Sequence, residues 1–158
     1  MSRSPKKYFQ NASLTVLLVE DDPDVRLTIV SMLKMLGLKT LVASSGKNAI
    51  QIVLSDNPLL DLVISAFKMP HIDGVQTLMA IRGMRPEVKT ILCCTNLDLE
   101  DSQWQSIDGC VYLGKPFNLE ELCKTINRAL IPGTPNSAAV ATPLFDPIGP
   151  LGDWALGI

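Results

Sequence analysis

The sequence predicts an α/β fold in which a five-stranded parallel sheet carries helices on both faces. Three observations predict it. Short apolar runs alternate with segments whose apolar residues recur at three- and four-residue steps, the pattern of strands joined by helical crossovers. The run Leu62-Val63-Ile64 is apolar without alternation, as in a strand buried on both faces. Polar or Gly/Pro clusters follow the runs at their carboxyl ends, which is where open α/β sheets place their chemistry.

Thr15 to Val19 is the first strand and ends in Glu20-Asp21-Asp22. Asp22 suits a helix N-cap and Pro23 the first helical position. Val25, Ile29, Met32, Leu33 and Leu36 give that helix one apolar face, and Gly37 ends it. Leu38 to Ala43 reads as the second strand. Ser45-Gly46 opens a second helix with Ala49, Ile50, Val53 and Leu54 inward, stopped at Asn57-Pro58. The third strand, Leu62 to Ile64, is followed by Met69-Pro70 and Asp73-Gly74, which launch a helix from Gly74 to Met84. Val75, Leu78, Met79 and Ile81 are its apolar residues. Thr90 to Thr95 is the fourth strand. Asn96 to Asp108 is polar and weakly periodic, a short helix or a loop. Val111 to Leu113 is the fifth strand and Gly114-Lys115-Pro116-Phe117 a loop. Asn118 with Glu121 reads as a capping box, opening a helix that buries Leu119, Leu122, Ile126 and Ala129. Repeated strand–helix units fit a flavodoxin-like doubly wound fold, a three-layer α/β/α sandwich of strand order 2-1-3-4-5.

The 158 residues divide into a basic extension (1–13), one α/β domain (14–131) and a Pro/Gly-rich apolar tail (132–158). Apolar residues make up 47% of the chain, enough for a sizeable core, and a net charge of −2 gives no long-range pull towards nucleic acid. No apolar run approaches the ~20 residues that span a membrane, and the first ten residues lack the apolar core of a signal peptide. The expectation is a soluble, cytoplasmic protein. Cys93, Cys94, Cys110 and Cys123 form no Cys-x-x-Cys pair and read as buried reduced thiols. Cys93 and Cys94, adjacent on a strand, point to opposite faces.

Several motifs fall in an order that resembles the receiver domain of bacterial response regulators. The resemblance covers about Thr15 to Leu130. Glu20-Asp21 matches the family's acidic pair, with Asp21 at the position of the direct Mg²⁺ ligand, and Asp22 completes an acidic pocket. Ala66, 45 residues after Asp21, matches the phosphoacceptor, which in the family is an Asp. Thr95 matches the switch hydroxyl and Tyr112 the aromatic switch position. Lys115 matches the lysine that pairs with the phosphoryl group, and its bond to Pro116 is cis in the family. Lys68 matches a position whose backbone carbonyl ligates the metal. It is either a solvated loop lysine or an ammonium that leans into the acids in place of the metal. His71, the single histidine, reads as a surface residue. Trp104 is unusual for the region through which receivers dimerise, which puts the family's standard dimer in doubt.

A methyl group is neither nucleophile nor ligand, so an aspartyl phosphate is chemically excluded at Ala66. Ser65 is turned to the other face by strand alternation. The leading expectation is a stand-alone pseudo-receiver in phosphorelay signalling: not an enzyme, binding Mg²⁺ weakly if at all, and acting by contact with a histidine kinase or another signalling protein. A homodimer is compatible with the sequence. One alternative is an ordinary receiver carrying an engineered Asp-to-Ala substitution. Another is a small phosphotransfer enzyme on the same fold.

Overall fold

The computed structural model describes residues 13–56, 59–95 and 107–131. The expectations for the amino-terminal extension, Asn57-Pro58, most of the Asn96–Asp108 segment with Trp104, and the tail lie outside the described residues. Five strands, β1 (Thr15–Val19), β2 (Lys39–Ala43), β3 (Leu62–Ala66), β4 (Lys89–Cys94) and β5 (Val111–Gly114), form one parallel sheet of order β2-β1-β3-β4-β5. The helices among the described residues are α1 (Pro23–Met35), α2 (Gly46–Asp56), α3 (Gly74–Met84) and α4 (Leu119–Leu130).

The sheet separates two apolar layers. Val16, Leu18, Leu62, Ile64, Ile91, Cys93 and Val111 pack with Ile29 and Leu33 of α1 and Leu122 and Ile126 of α4. Leu17, Val19, Val63, Leu92 and Cys94 pack with Val53 of α2 and Leu78 and Ile81 of α3. Alternate residues along each strand thus feed opposite layers, and Cys93 and Cys94 fall on opposite sides. β3 sits mid-sheet and every one of its residues is buried, which is why its sequence shows no alternation.

Local signals set the helix ends. The Asp22 carboxylate accepts from the N–H groups of Asp24 and Val25 at 2.8 and 3.1 Å. Asn118 and Glu121 cap α4 reciprocally, and Asp73 and Gln76 do the same for α3. Gly37 takes a left-handed φ of 86° just beyond α1, where a side chain would be strained.

The structure corrects several boundaries. β3 runs on to Ser65 and Ala66, because the ladder with β4 continues to the Ala66–Cys93 pair. β2 begins at Lys39 rather than Leu38, β4 ends at Cys94 rather than Thr95, and β5 includes Gly114. Leu54, expected inward, is 65% exposed, and Met79, one of the apolar residues of α3, is 51% exposed. Each adjoins a residue that is buried, Val53 and Leu78, and one helical step of 100° turns it outward.

Candidate functional site

The site is built where β1, β3, β4 and β5 end. Glu20 follows β1 and is 3% exposed. Its N–H donates to the carbonyl of Ala43 at 3.1 Å, which pins the chain just as it leaves the sheet. Lys115 follows β5 and its N–H donates to the carbonyl of Cys94 at 2.7 Å. Its Nζ donates to Glu20 Oε1 at 3.0 Å, while Glu20 Oε2 accepts from the Asp22 N–H at 3.1 Å. Both carboxylate oxygens of Glu20 are therefore engaged. Arg26 straps the same turn from α1: its Nη1 donates to the Glu20 carbonyl at 2.8 Å and reaches the Asp21 carbonyl at 3.4 Å.

β3 and β4 lie between β1 and β5 in the sheet, so the Glu20–Lys115 pair connects the two sides of the strand-end cleft across them. Burial draws the Lys115 ammonium down, but the hydrogen bond and charge of Glu20, with help from Asp21, outweigh it and hold it above the usual lysine value. The buried Cys93 thiol senses both charges of this pair. Burial pushes it up to about 12, the Lys115 charge acting against and the Glu20 charge with the shift.

Ala66 closes β3 with a methyl group that is 3% exposed. Its carbonyl accepts from the Ser65 hydroxyl at 2.9 Å. The loop beyond folds back tightly. Gly74 N–H donates to the Phe67 carbonyl at 2.7 Å, and a Cβ on Gly74 would stand 2.0 Å from the Ala66 carbonyl oxygen. Only glycine fits there. Lys68 is exposed and its Nζ lies 4.6 Å from the centroid of the Phe67 ring, a cation–π geometry. Thr95 is exposed just past β4, and Tyr112 is buried in the α2–α3 layer with its hydroxyl near Gly114. The Lys115–Pro116 bond is cis.

Glu20, Asp21, Ala66, Thr95 and Lys115 thus share one rim. Asp22 does not contribute a free carboxylate, since it caps α1. Lys115 engages the acids at hydrogen-bond distance, and its partner is Glu20. Sequence reasoning missed this pairing, and it missed Arg26. An arginine four residues after a helix N-cap Asp was the available signal, because that step returns it to the acidic turn.

The donor set does not fit a tight divalent site. Mg²⁺ takes hard oxygens in an octahedron. Glu20 is bonded to Lys115 and to Asp22 N–H, Asp22 caps a helix, and Ala66 offers no carboxylate, which leaves Asp21. Among the described residues no three of His, Cys, Asp or Glu are placed to hold a metal.

A flavodoxin-like sheet with an acidic β1 turn and a Lys-Pro β5 turn defines the receiver class. Residues 16–127 match the response regulator receiver domain family, and the chain belongs to it, a family of two-component signalling. It is 36% identical over 107 residues to an uncharacterized transcriptional regulatory protein, YrkP of Bacillus subtilis, covering 68% of this chain and 45% of that protein. It is 32% identical over 123 residues to the sensor kinase CckA of Brucella abortus, covering 76% of this chain and 13% of the kinase. The chain thus spans less than half the length of either relative. Among solved structures it is similar to the response regulator TrrA of Thermotoga maritima in complex with Mg²⁺ and BeF (27% identity, TM-score 0.65, covering 74% of this chain and 99% of that one). It is also similar to the receiver domain of the hybrid histidine kinase CckA (28% identity, TM-score 0.61, 74% and 99% covered). No helix among the described residues is long and apolar enough to cross a membrane.

Proposed function

We propose that this chain is a pseudo-receiver. It signals by protein contact and accepts no phosphate at Ala66. The observation that carries this reading is the Glu20–Lys115 ion pair at 3.0 Å beside a β3 strand end that presents only a methyl group. Aspartyl phosphate formation needs a carboxylate nucleophile and a cation to stabilise the transferred charge. The nucleophile is replaced, and the lysine is bonded to another acid. Ser65 does not substitute, because its side chain is fully buried and its hydroxyl donates to the backbone. The buried methyl and the ion pair support a pocket held in one arrangement, with recognition carried by its surface. A kinase-like or other signalling protein is the fitting class of partner, as the likeness to receiver domains within a kinase suggests.

Acetyl phosphate followed by intact-mass spectrometry tests the reading. The expected result is no added phosphoryl mass, and no beryllofluoride-dependent amide shift at Thr95 or Tyr112. A stable adduct mapped to this rim would overturn it.

A further inference from the structure

One feature of the α1 face is unused by this reading. A groove of about 440 Å³ runs between α1 and the β5–α4 turn, lined by Val25, Ile29 and Met32 on one side and Pro116 and Phe117 on the other. Its volume lies in the ~300–1,000 Å³ range of ligand pockets. Its walls are mainly apolar, and its polar members are Asp24 and Thr28 of α1 with Thr95 and Lys115 beside the candidate site. A second cleft, near Ile131, is rimmed by the charged side chains of Arg82, Glu87, Lys89 and Asp108 and suits an apolar occupant less.

The chain itself supplies such an occupant. Beyond Ile131 it holds 27 more residues with no Lys or Arg, and Phe145, Ile148, Leu151 and Trp154 recur there every third position. Pro147 and Pro150 stand directly before Ile148 and Leu151, and each proline biases its predecessor towards extended backbone. A polyproline II helix has three residues per turn, so in that conformation a period of three would set these four side chains along one edge, ~9 Å apart at 3.1 Å per residue. From Val25 to Met32 along α1 is ~10 Å at 1.5 Å per residue. Two successive residues of the stripe therefore match the length of the groove. Proline-rich segments are received elsewhere by grooves with aromatic walls, and Phe117 provides one here.

Reach is sufficient. The groove lies at the start of α4 and the tail leaves from its end, ~18 Å away for 12 residues. The 13 residues between Ile131 and Phe145 span up to ~43 Å when extended. A tether of this length gives an effective concentration in the millimolar range, which favours the chain's own groove over that of a second copy.

We propose that residues 145–154 dock through this apolar stripe into the α1–α4 groove of the same molecule, covering the face beside Lys115. The proposal does not depend on whether Ala66 blocks phosphorylation. The test compares amide spectra of the full chain with those of the full chain carrying F145S, I148S, L151S and W154S together. None of these positions belongs to the described core, so the fold is retained, and unchanged amides at Leu78 and Ile81 verify that. Shifts at Val25, Ile29, Met32 and Phe117 are expected, and are expected to revert when a peptide of residues 140–158 is added at millimolar concentration. Exchanging Ile148 and Gly149 (I148G with G149I) keeps composition, breaks the period and should reproduce most of the change. Identical spectra, or shifts confined to the α2–α3 face, would overturn the proposal. So would shifts that vanish on dilution alongside a dimer seen by light scattering, because the tail would then be docking on a second copy.

Discussion

The two halves of the strand-end rim are built on different principles. On the β1 and β5 side, charges are retained and each is tied. Glu20 is bonded at both oxygens, and Lys115 is held by it. On the β3 side the strand end carries no charge. Ala66 is a sealed methyl, and the loop beyond it folds so closely that Gly74 admits no side chain. The comparison teaches that an acidic pocket can stand beside a strand end that carries only a methyl group. The lysine bonds to the buried acid at the end of β1. Burying that acid then makes the lysine a structural requirement.

Removing Lys115 should have the largest effect. Stranding one member of a buried ion pair costs about 3–5 kcal/mol, and the 24% exposure of the Lys115 side chain places this case at about 3 kcal/mol. Lys115→Met should lose that much in denaturant unfolding, with Glu20→Gln on the same background restoring part of it. Asp21→Ala, in contrast, should cost less than about 0.5 kcal/mol, since no hydrogen bond or ion pair holds the Asp21 carboxylate among the described residues. Equal losses for the two single variants would break the distinction between a tied acid and a free one.

Placing a carboxylate on the β3 side is the next largest change. Two carboxylates ~4 Å apart repel by about 4 kcal/mol at an effective dielectric of ~20. Ala66→Asp should therefore lower stability by about 2 kcal/mol without metal, the Lys115 charge offsetting the remainder. It should also create a Mg²⁺-dependent rise in melting temperature that the parent lacks. A parent that gains as much from Mg²⁺ as the variant would show that the existing donors suffice.

The ion pair also predicts a pH dependence. The folded Lys115 value is raised, so protonation favours the folded state. Its contribution is complete below the unfolded lysine value of ~10.4 and fades as pH rises through the folded one. The stability gap between parent and Lys115→Met should be constant from pH 7 to 9 and narrow above pH ~10.5. A gap that stays constant across the alkaline range would mean that packing of the lysine stem, and not its charge, supplies the difference.

The fold was legible because its signals are local. Asp22-Pro23, Asn118 with Glu121, and the unbroken apolar run of β3 each follow from chain neighbours alone. The members of the rim were legible too, through the order of their motifs. Which acid bonds to Lys115 was not. Glu20 and Asp21 are adjacent, and the choice depends on where β1 stops, since Glu20 is still pinned to Ala43 and turned inward while Asp21 has already left the sheet. Leu54 failed for a related reason. Sequence gives the width of an apolar stripe, but the packing partner sets where its edge lies. The groove was invisible because α1 and Phe117 meet only in three dimensions.

The smallest expected effect sharpens the β3 side. His71 lies in the β3–α3 loop with φ of 71°. A non-glycine residue in that left-handed region costs ~1–2 kcal/mol, whereas glycine adopts it freely but gives up ~0.5–1 kcal/mol more backbone entropy on folding. His71→Gly should therefore stabilise the domain by up to about 1 kcal/mol, and His71→Val should destabilise it because a branched side chain tolerates that region least. Thermal unfolding of the two variants measures both signs. Stabilisation by glycine would place the constraint in the backbone turn that brings Gly74 against the Ala66 carbonyl. A loss of stability on His71→Gly would instead show that the imidazole itself holds the loop, and the sealed side of the rim would then depend on a side chain, as the charged side does.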